Sequence, residues 1–103
     1  MAWYAVAGSA DLKEGEVLGV NVKQFRIALY RIEGNVYATS NVCTHEFALL
    51  SDGYLDGDCI ECPLHQAQFH VPTGEVRSAP ATDPIETYST KEEADSIHVL
   101  LPD

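Results

Sequence analysis

Phe25-Arg26-Ile27-Ala28-Leu29-Tyr30-Arg31-Ile32, then Glu33-Gly34-Asn35, then Val36-Tyr37-Ala38-Thr39 is the stretch whose reading decides the fold. Phe25, Ile27 and Leu29 alternate with Arg26, Ala28 and Tyr30. That period of two is the mark of a half-buried strand. Glu33-Gly34-Asn35 is a turn signal, and the apolar run resumes behind it. The same strand-turn-strand grammar extends in both directions. Toward the N-terminus lie Val17–Val22 and Trp3–Val6. Toward the C-terminus lie Tyr54–Leu55, Cys59–Cys62, Gln68–His70, Glu75–Arg77, Glu86–Tyr88 and Ile97–Leu101. Asp56-Gly57 is a strong hairpin signal, and Pro72-Thr73-Gly74 reads as a further turn. Ser9-Ala10-Asp11-Leu12 has room for one helical turn capped by Ser9, but no segment sustains a 3.6-residue period. The pattern predicts an all-β chain, a small antiparallel β-sandwich or barrel.

Composition bounds the function. The chain has 103 residues, enough for one modest core, and 46% of them are hydrophobic, which excludes a disordered chain. We therefore read residues 1–103 as a single domain. No apolar run reaches the ~20 residues of a membrane span. Met1-Ala2-Trp3-Tyr4-Ala5-Val6 has no basic flank and does not read as a signal peptide. The expectation is a cytoplasmic monomer. A net charge of −10 disfavours nucleic acid and anionic lipid. No Lys or Arg occurs from Ile32 to Val76, whereas Glu33, Glu46, Asp52, Asp56, Asp58, Glu61 and Glu75 do.

Asn41–Ser51 and Pro63–Ala67 lack clean alternation and read as loops. They carry Cys43-Thr44-His45 and most of Cys62-Pro63-Leu64-His65. Each half offers one thiolate and one imidazole, and the Asp56-Gly57 hairpin between them turns the two halves toward each other. Two chemistries accept such a set. One is tetrahedral zinc, whose usual spacings keep the two Cys together and the two His together. The other is a [2Fe–2S] centre in which two His replace two Cys on one iron. The mixed halves suit the second, with a Cys from each loop on one iron and a His from each loop on the other.

These paired boxes resemble those of Rieske proteins, and further matches run along nearly the whole chain. They are Ala38-Thr39 and Asn41, Ser51-Asp52-Gly53, Phe69, Thr73-Gly74 and Ala79-Pro80. The similarity is greatest to the Rieske ferredoxins of bacterial aromatic ring-hydroxylating dioxygenases. It implies a cluster-binding β subdomain, about residues 41–81, inserted in a β-sandwich, with the loop Ala79-Pro80-Ala81 covering the cluster. It implies cofactor ligands Cys43, His45, Cys62 and His65, and no catalytic residue. The partners implied are a flavoprotein ferredoxin reductase and a terminal non-haem iron oxygenase. Respiratory Rieske proteins carry an extra disulfide; Ala48 and Leu64 stand near those positions, which points to the ferredoxin branch. Glu46, Ala67 and His70 replace residues more usual in the boxes. With neutral imidazoles the oxidised centre has no net charge, and the expected potential lies at the low end of roughly −150 to +300 mV.

The rival readings are a zinc-stabilised binding module, the small Rieske-like subunit of a nitrite reductase, and a detached oxygenase domain. Alternation from Cys59 to Cys62 turns Cys59 away from the cluster face, as a small half-buried core residue. His98 reads as structural, and the role of His70 is open. Asp11, Glu14 and Glu16 read as solvated.

Overall fold

The computed structural model describes residues 1–44, 48–64, 66–79, 81 and 83–102. Eleven strands follow one another: β1 Ala2–Gly8, β2 Val17–Val22, β3 Phe25–Ile32, β4 Asn35–Ser40, β5 Tyr54–Asp56, β6 Cys59–Glu61, β7 Gln68–His70, β8 Val76–Ser78, β9 Thr87–Tyr88, β10 Thr90–Glu93 and β11 Ser96–Leu101. Among the described residues they form three antiparallel sheets, ordered β1-β11-β10, β2-β3-β4-β9 and β5-β6-β7-β8. The third sheet is inserted between β4 and β9 in the chain. The all-β expectation is borne out, and so are the strands Val17–Val22, Phe25–Ile32 and Gln68–His70.

Strand β3 differs from the half-buried strand expected. Ile27, Ala28, Leu29 and Tyr30 are all fully buried. Its odd-numbered Ile27 and Leu29 pack with Leu12, Val36, Ala38, Ile97, Val99 and Leu101. Its even-numbered Ala28, Tyr30 and Ile32 face a second core containing Cys43, Leu50, Ile60, Cys62, Ala67 and Phe69. One strand thus serves two cores, and Ala28 and Tyr30 sit on what alternation alone suggested was the wetter face. Burial of the Tyr30 phenol is met by a hydrogen bond with Thr39 Oγ1 at 2.9 Å. Desolvation raises its pKa well above the ordinary tyrosine value.

The turns carry more structure than their composition advertised. Glu33 and Gly34, both at positive φ, join Ile32 to Asn35 in a two-residue hairpin loop. The Glu14 carboxylate accepts the N–H groups of Glu33 and Gly34 at 2.7 and 2.8 Å. Asp11 accepts the Gly8 N–H, and Glu16 accepts the Lys13 N–H. The three acids read as merely solvated are therefore backbone caps. The short 3-10 turn Ser9–Asp11 is tied by Asp11 reaching back to Gly8, not by a Ser9 cap.

Strand β10, Thr90–Glu93, was not anticipated, because Lys91, Glu92 and Glu93 have little strand propensity. Tertiary contacts hold it. Thr90 Oγ1 donates to Val36 O at 2.7 Å, and Glu92 pairs with Arg31 at 2.9 Å. It is an edge strand, where charge discourages further pairing.

Candidate metal centre

The hairpin β5–β6 turns through Gly57-Asp58, with Asp56 opposite Cys59 and Gly57 at φ 61. It delivers Cys62 just past the end of β6, next to the β6–β7 ladder. The other box follows β4. Cys43 and Cys62 are 3% and 0% exposed, and both belong to the core cluster under β3. Two thiols drawn from segments nineteen positions apart therefore share one apolar environment.

Both boxes close in the same way. The Cys43 N–H donates to Ala48 O at 2.9 Å, and the Cys62 N–H donates to Ala67 O at 2.7 Å. Each bond spans five positions and starts at a buried cysteine. In the second loop Gln66 sits at φ 60, a left-handed conformation that costs a non-glycine residue about 1 kcal/mol or more. His45 and His65 lie outside the described residues, as do Glu46, Phe47 and Pro80.

Neighbouring segments brace this end of the molecule. Gly53 lies so close to β6 that a Cβ there would meet Glu61 O at 2.0 Å. The Thr44 hydroxyl donates to Asp83 O at 2.7 Å, tying the first box to the segment after β8. That segment buries Ala81 and Ile85 in the same core as the two cysteines, and the Ile85 N–H donates to Gly74 O at 3.0 Å. Gly74, at φ 79, leaves no space for a side chain against Ile85 O. The sequence carried no signal for the Thr44–Asp83 contact, which joins residues with no pattern in common. It gave no reason to expect the contact between buried Asn41 and Ser51 either.

Cys59 is half-buried on the opposite face of β6 from Ile60 and Cys62, as alternation required. Its Sγ donates to Asp58 Oδ1 at 3.5 Å, and burial, then that carboxylate, pushes its pKa up. A thiol kept protonated is a poor metal ligand. His70 lies across the ladder from Cys59, with Nε2 2.9 Å from Asp58 Oδ2 and Nδ1 2.8 Å from Thr73 Oγ1. The hydrogen bond from His70 holds the Asp58 carboxyl below the usual carboxylate range. Both ring nitrogens of His70 are thus engaged within its own sheet and the turn beside it. His98 is half-buried in β11, opposite Ala5 and Lys91.

Two buried thiols in matched loops, each loop carrying a histidine in its sequence, fit the mixed donor set of a Rieske centre better than the grouped spacings of zinc. A model of the Rieske [2Fe-2S] domain matches residues 2–89. The chain belongs to that family. Its cofactor is a Rieske-type [2Fe–2S] cluster, and its activity is electron transfer, not turnover of a substrate.

The chain is 52% identical over 89 residues to the ferredoxin component of the naphthalene 1,2-dioxygenase system of Pseudomonas putida, covering 86% of each protein. It is 42% identical over 95 residues to the 3-phenylpropionate/cinnamic acid dioxygenase ferredoxin subunit of Shigella flexneri serotype 5b, covering 91% of this chain and 89% of that one. Among solved structures, the ferredoxin of Sphingomonas yanoikuyae B1 superposes with a TM-score of 0.93 at 35% identity. That match covers 98% of this chain and all of the other. A ferredoxin from a complex of reduced oxygenase and oxidised ferredoxin in carbazole 1,9a-dioxygenase gives 0.89 at 39% identity, covering 94% and 91%. Among the described residues no helix is long and apolar enough to cross a membrane.

Proposed function

We propose that this Rieske protein carries single electrons from a flavoprotein ferredoxin reductase to a terminal non-haem iron oxygenase of aromatic catabolism. In this reading Cys43 and Cys62 hold one iron, and His45 and His65 hold the other. The observation that carries the ligand set is the burial of Cys43 and Cys62 in one core, each at the base of a loop closed by its own N–H. The cluster, when bound, supplies a one-electron couple. The chain's own residues would supply two thiolate ligands from one apolar core and two imidazoles from the loop sequences that follow them. The oxygenase partner is supported by the relatives, which are components of dioxygenase systems, and by the carbazole dioxygenase complex. The reductase is the counterpart such a carrier needs. We read residues 1–103 as one domain with a cluster subdomain of about 41–81, acting as a cytoplasmic monomer.

Ligand identity is tested directly. Purified protein should be red-brown with two irons and two acid-labile sulfides per chain. Cys43→Ser, Cys62→Ser, His45→Ala and His65→Ala should each lose iron, because cluster binding is coupled to folding of both loops. Cys59→Ser should keep it. Loss of iron from Cys59→Ser with retention in Cys62→Ser overturns the assignment.

A further inference from the structure

The two ligand loops are held at their stems by different means. The second, Cys62 to Ala67, grows out of the β6–β7 ladder, and pairing up to Glu61 and Gln68 sets its ends. The first, residues 42–50, has a far thinner stem: among the described residues, a single bridge between Val42 and Leu49. Below that bridge a side chain takes the place of the next rungs. Asn41 is only 4% exposed. Its Oδ1 accepts the Ser51 N–H at 2.8 Å, and its Nδ2 donates to Ser51 Oγ at 2.9 Å. Its backbone N–H donates to Arg26 O at 2.8 Å, and its carbonyl accepts the Leu50 N–H at 2.7 Å. The carboxamide therefore spans the mouth of the loop. Gly19 of β2 forms the floor beneath it, where a Cβ would lie 2.9 Å from Ser51 Oγ and 3.0 Å from Asn41 Nδ2.

We infer that Asn41 is a positioning residue for the cluster: with Ser51 against Gly19 it shuts the mouth of the first ligand loop and so fixes Cys43 relative to Cys62. This inference rests on the ligand reading above. An amide is suited to the task, since it offers an acceptor and a donor in a fixed plane and meets the N–H and the Oγ of one residue at once. Buried polar pairs of this kind specify one geometry, because any other leaves a group unsatisfied.

The experiment compares wild type with Asn41→Ala, Ser51→Ala, Gly19→Ala and Asn41→Asp in the iron-loaded protein. Arg31→Lys serves as a control that weakens the fold through contacts with Ser9, Leu12, Gly34 and Glu92, none of them in the ligand loops. The readouts are the electron paramagnetic resonance g-values of the reduced protein, the reduction potential, and the rate of bleaching under a chelator. Asn41→Ala should broaden the spectrum, shift the potential and bleach about tenfold faster, the factor that ~1.4 kcal/mol of lost loop closure produces. Ser51→Ala should fall between it and wild type, because the Ser51 N–H still reaches Oδ1. Asn41→Asp keeps both contacts when the Ser51 hydroxyl donates. It should keep a narrow spectrum and slow bleaching, with a lowered potential from its added negative charge. Arg31→Lys should lower the melting temperature yet leave spectrum and potential unchanged. Wild-type values of all three readouts in Asn41→Ala overturn the inference, as do changes that Arg31→Lys reproduces. Should Asn41→Ala not accumulate as folded protein, wild-type readouts in both Ser51→Ala and Gly19→Ala overturn it instead. Wild-type protein without iron and labile sulfide overturns the ligand reading itself.

Discussion

Replacing Gly53 by alanine should expel the cluster, whereas the same replacement at Gly57 should not. Gly53 has φ −93 and ψ −158, extended backbone that alanine adopts without strain. The difficulty is space. Its Cβ would sit 2.0 Å from Glu61 O and 3.1 Å from Leu50 O, more than an ångström inside ordinary contact with the first. Glu61 cannot retreat freely, because it pairs with Tyr54 on one side and Gln68 on the other, and its carbonyl immediately precedes Cys62. Overpacking costs typically 1–3 kcal/mol, and a backbone obstacle that cannot rotate away puts this case near ~3 kcal/mol. At roughly 4–8 °C per kcal/mol for a domain of this size, the melting temperature should fall by about 12–24 °C. Gly57 presents the opposite case, with nothing within 4 Å of a Cβ but φ at +61. Its cost is backbone strain alone, about 1–2 kcal/mol, at the far end of the hairpin from Cys62. Iron content, visible circular dichroism and thermal unfolding of the two variants form the assay. Gly53→Ala with full iron and a wild-type visible spectrum would refute the reasoning, and so would loss of iron from Gly57→Ala.

Arg31→Lys should lower stability by about 2–3 kcal/mol, read as a shift in the urea midpoint. The guanidinium donates to Leu12 O, Ser9 O, Gly34 O and both Glu92 oxygens, a five-fold set that the ammonium of lysine cannot reproduce. Glu92→Gln should flatten the acid limb of the stability curve. The Arg31 hydrogen bond holds the Glu92 carboxyl below its usual range, so its contribution is present above the unfolded value of about 4.3 and is lost as pH falls through the folded one. The difference in melting temperature between wild type and Glu92→Gln should therefore shrink as pH falls below about 4. Electron transfer to an oxygenase should slow as ionic strength rises from about 0.01 to 0.5 M, and Asp52→Asn should weaken that dependence more than Glu93→Gln. Stopped-flow rates that are flat or rising with salt would shift the contact to apolar residues, with the exposed Leu64 and Tyr54 the first to test.

The order of strands was legible in the sequence wherever apolar residues alternate. Val17–Val22 and Phe25–Ile32 match the structure residue for residue because side-chain period and turn chemistry agree there. The failures share a cause. Strand β10 pairs with β11, the next strand in the chain, but Arg31 and Val36, which hold its other side, are more than fifty positions away. Glu14 looked solvated because its partners, Glu33 and Gly34, lie in a turn that forms only after β3 and β4 pair. The thiols of the site were legible for a chemical reason: few environments demand one Cys and one His from each of two loops. The supports of the site were not. Gly53, Asn41 and Thr44 act through distances to Glu61, Ser51 and Asp83 that no periodicity encodes.

The double burial of β3 bears on how such a protein carries electrons. Ile27 and Leu29 hold the strand in the sandwich, while Ala28, Tyr30 and Ile32 lie against the core that contains Cys43 and Cys62. A subdomain attached through loops alone would rock against its base, and each change of charge would let it settle differently. Here the two cores share a strand whose residues 27–30 have no exposed surface, so one cannot shift without opening the other. Close-packed interiors resist such shifts. The cysteine end of the site is therefore held by the interior of the fold. The two stretches closed by the Cys43 N–H and the Cys62 N–H are short and separately braced. Under the ligand set proposed above, that rigidity suits a carrier, because Cys43 and Cys62 would keep the same geometry in both redox states.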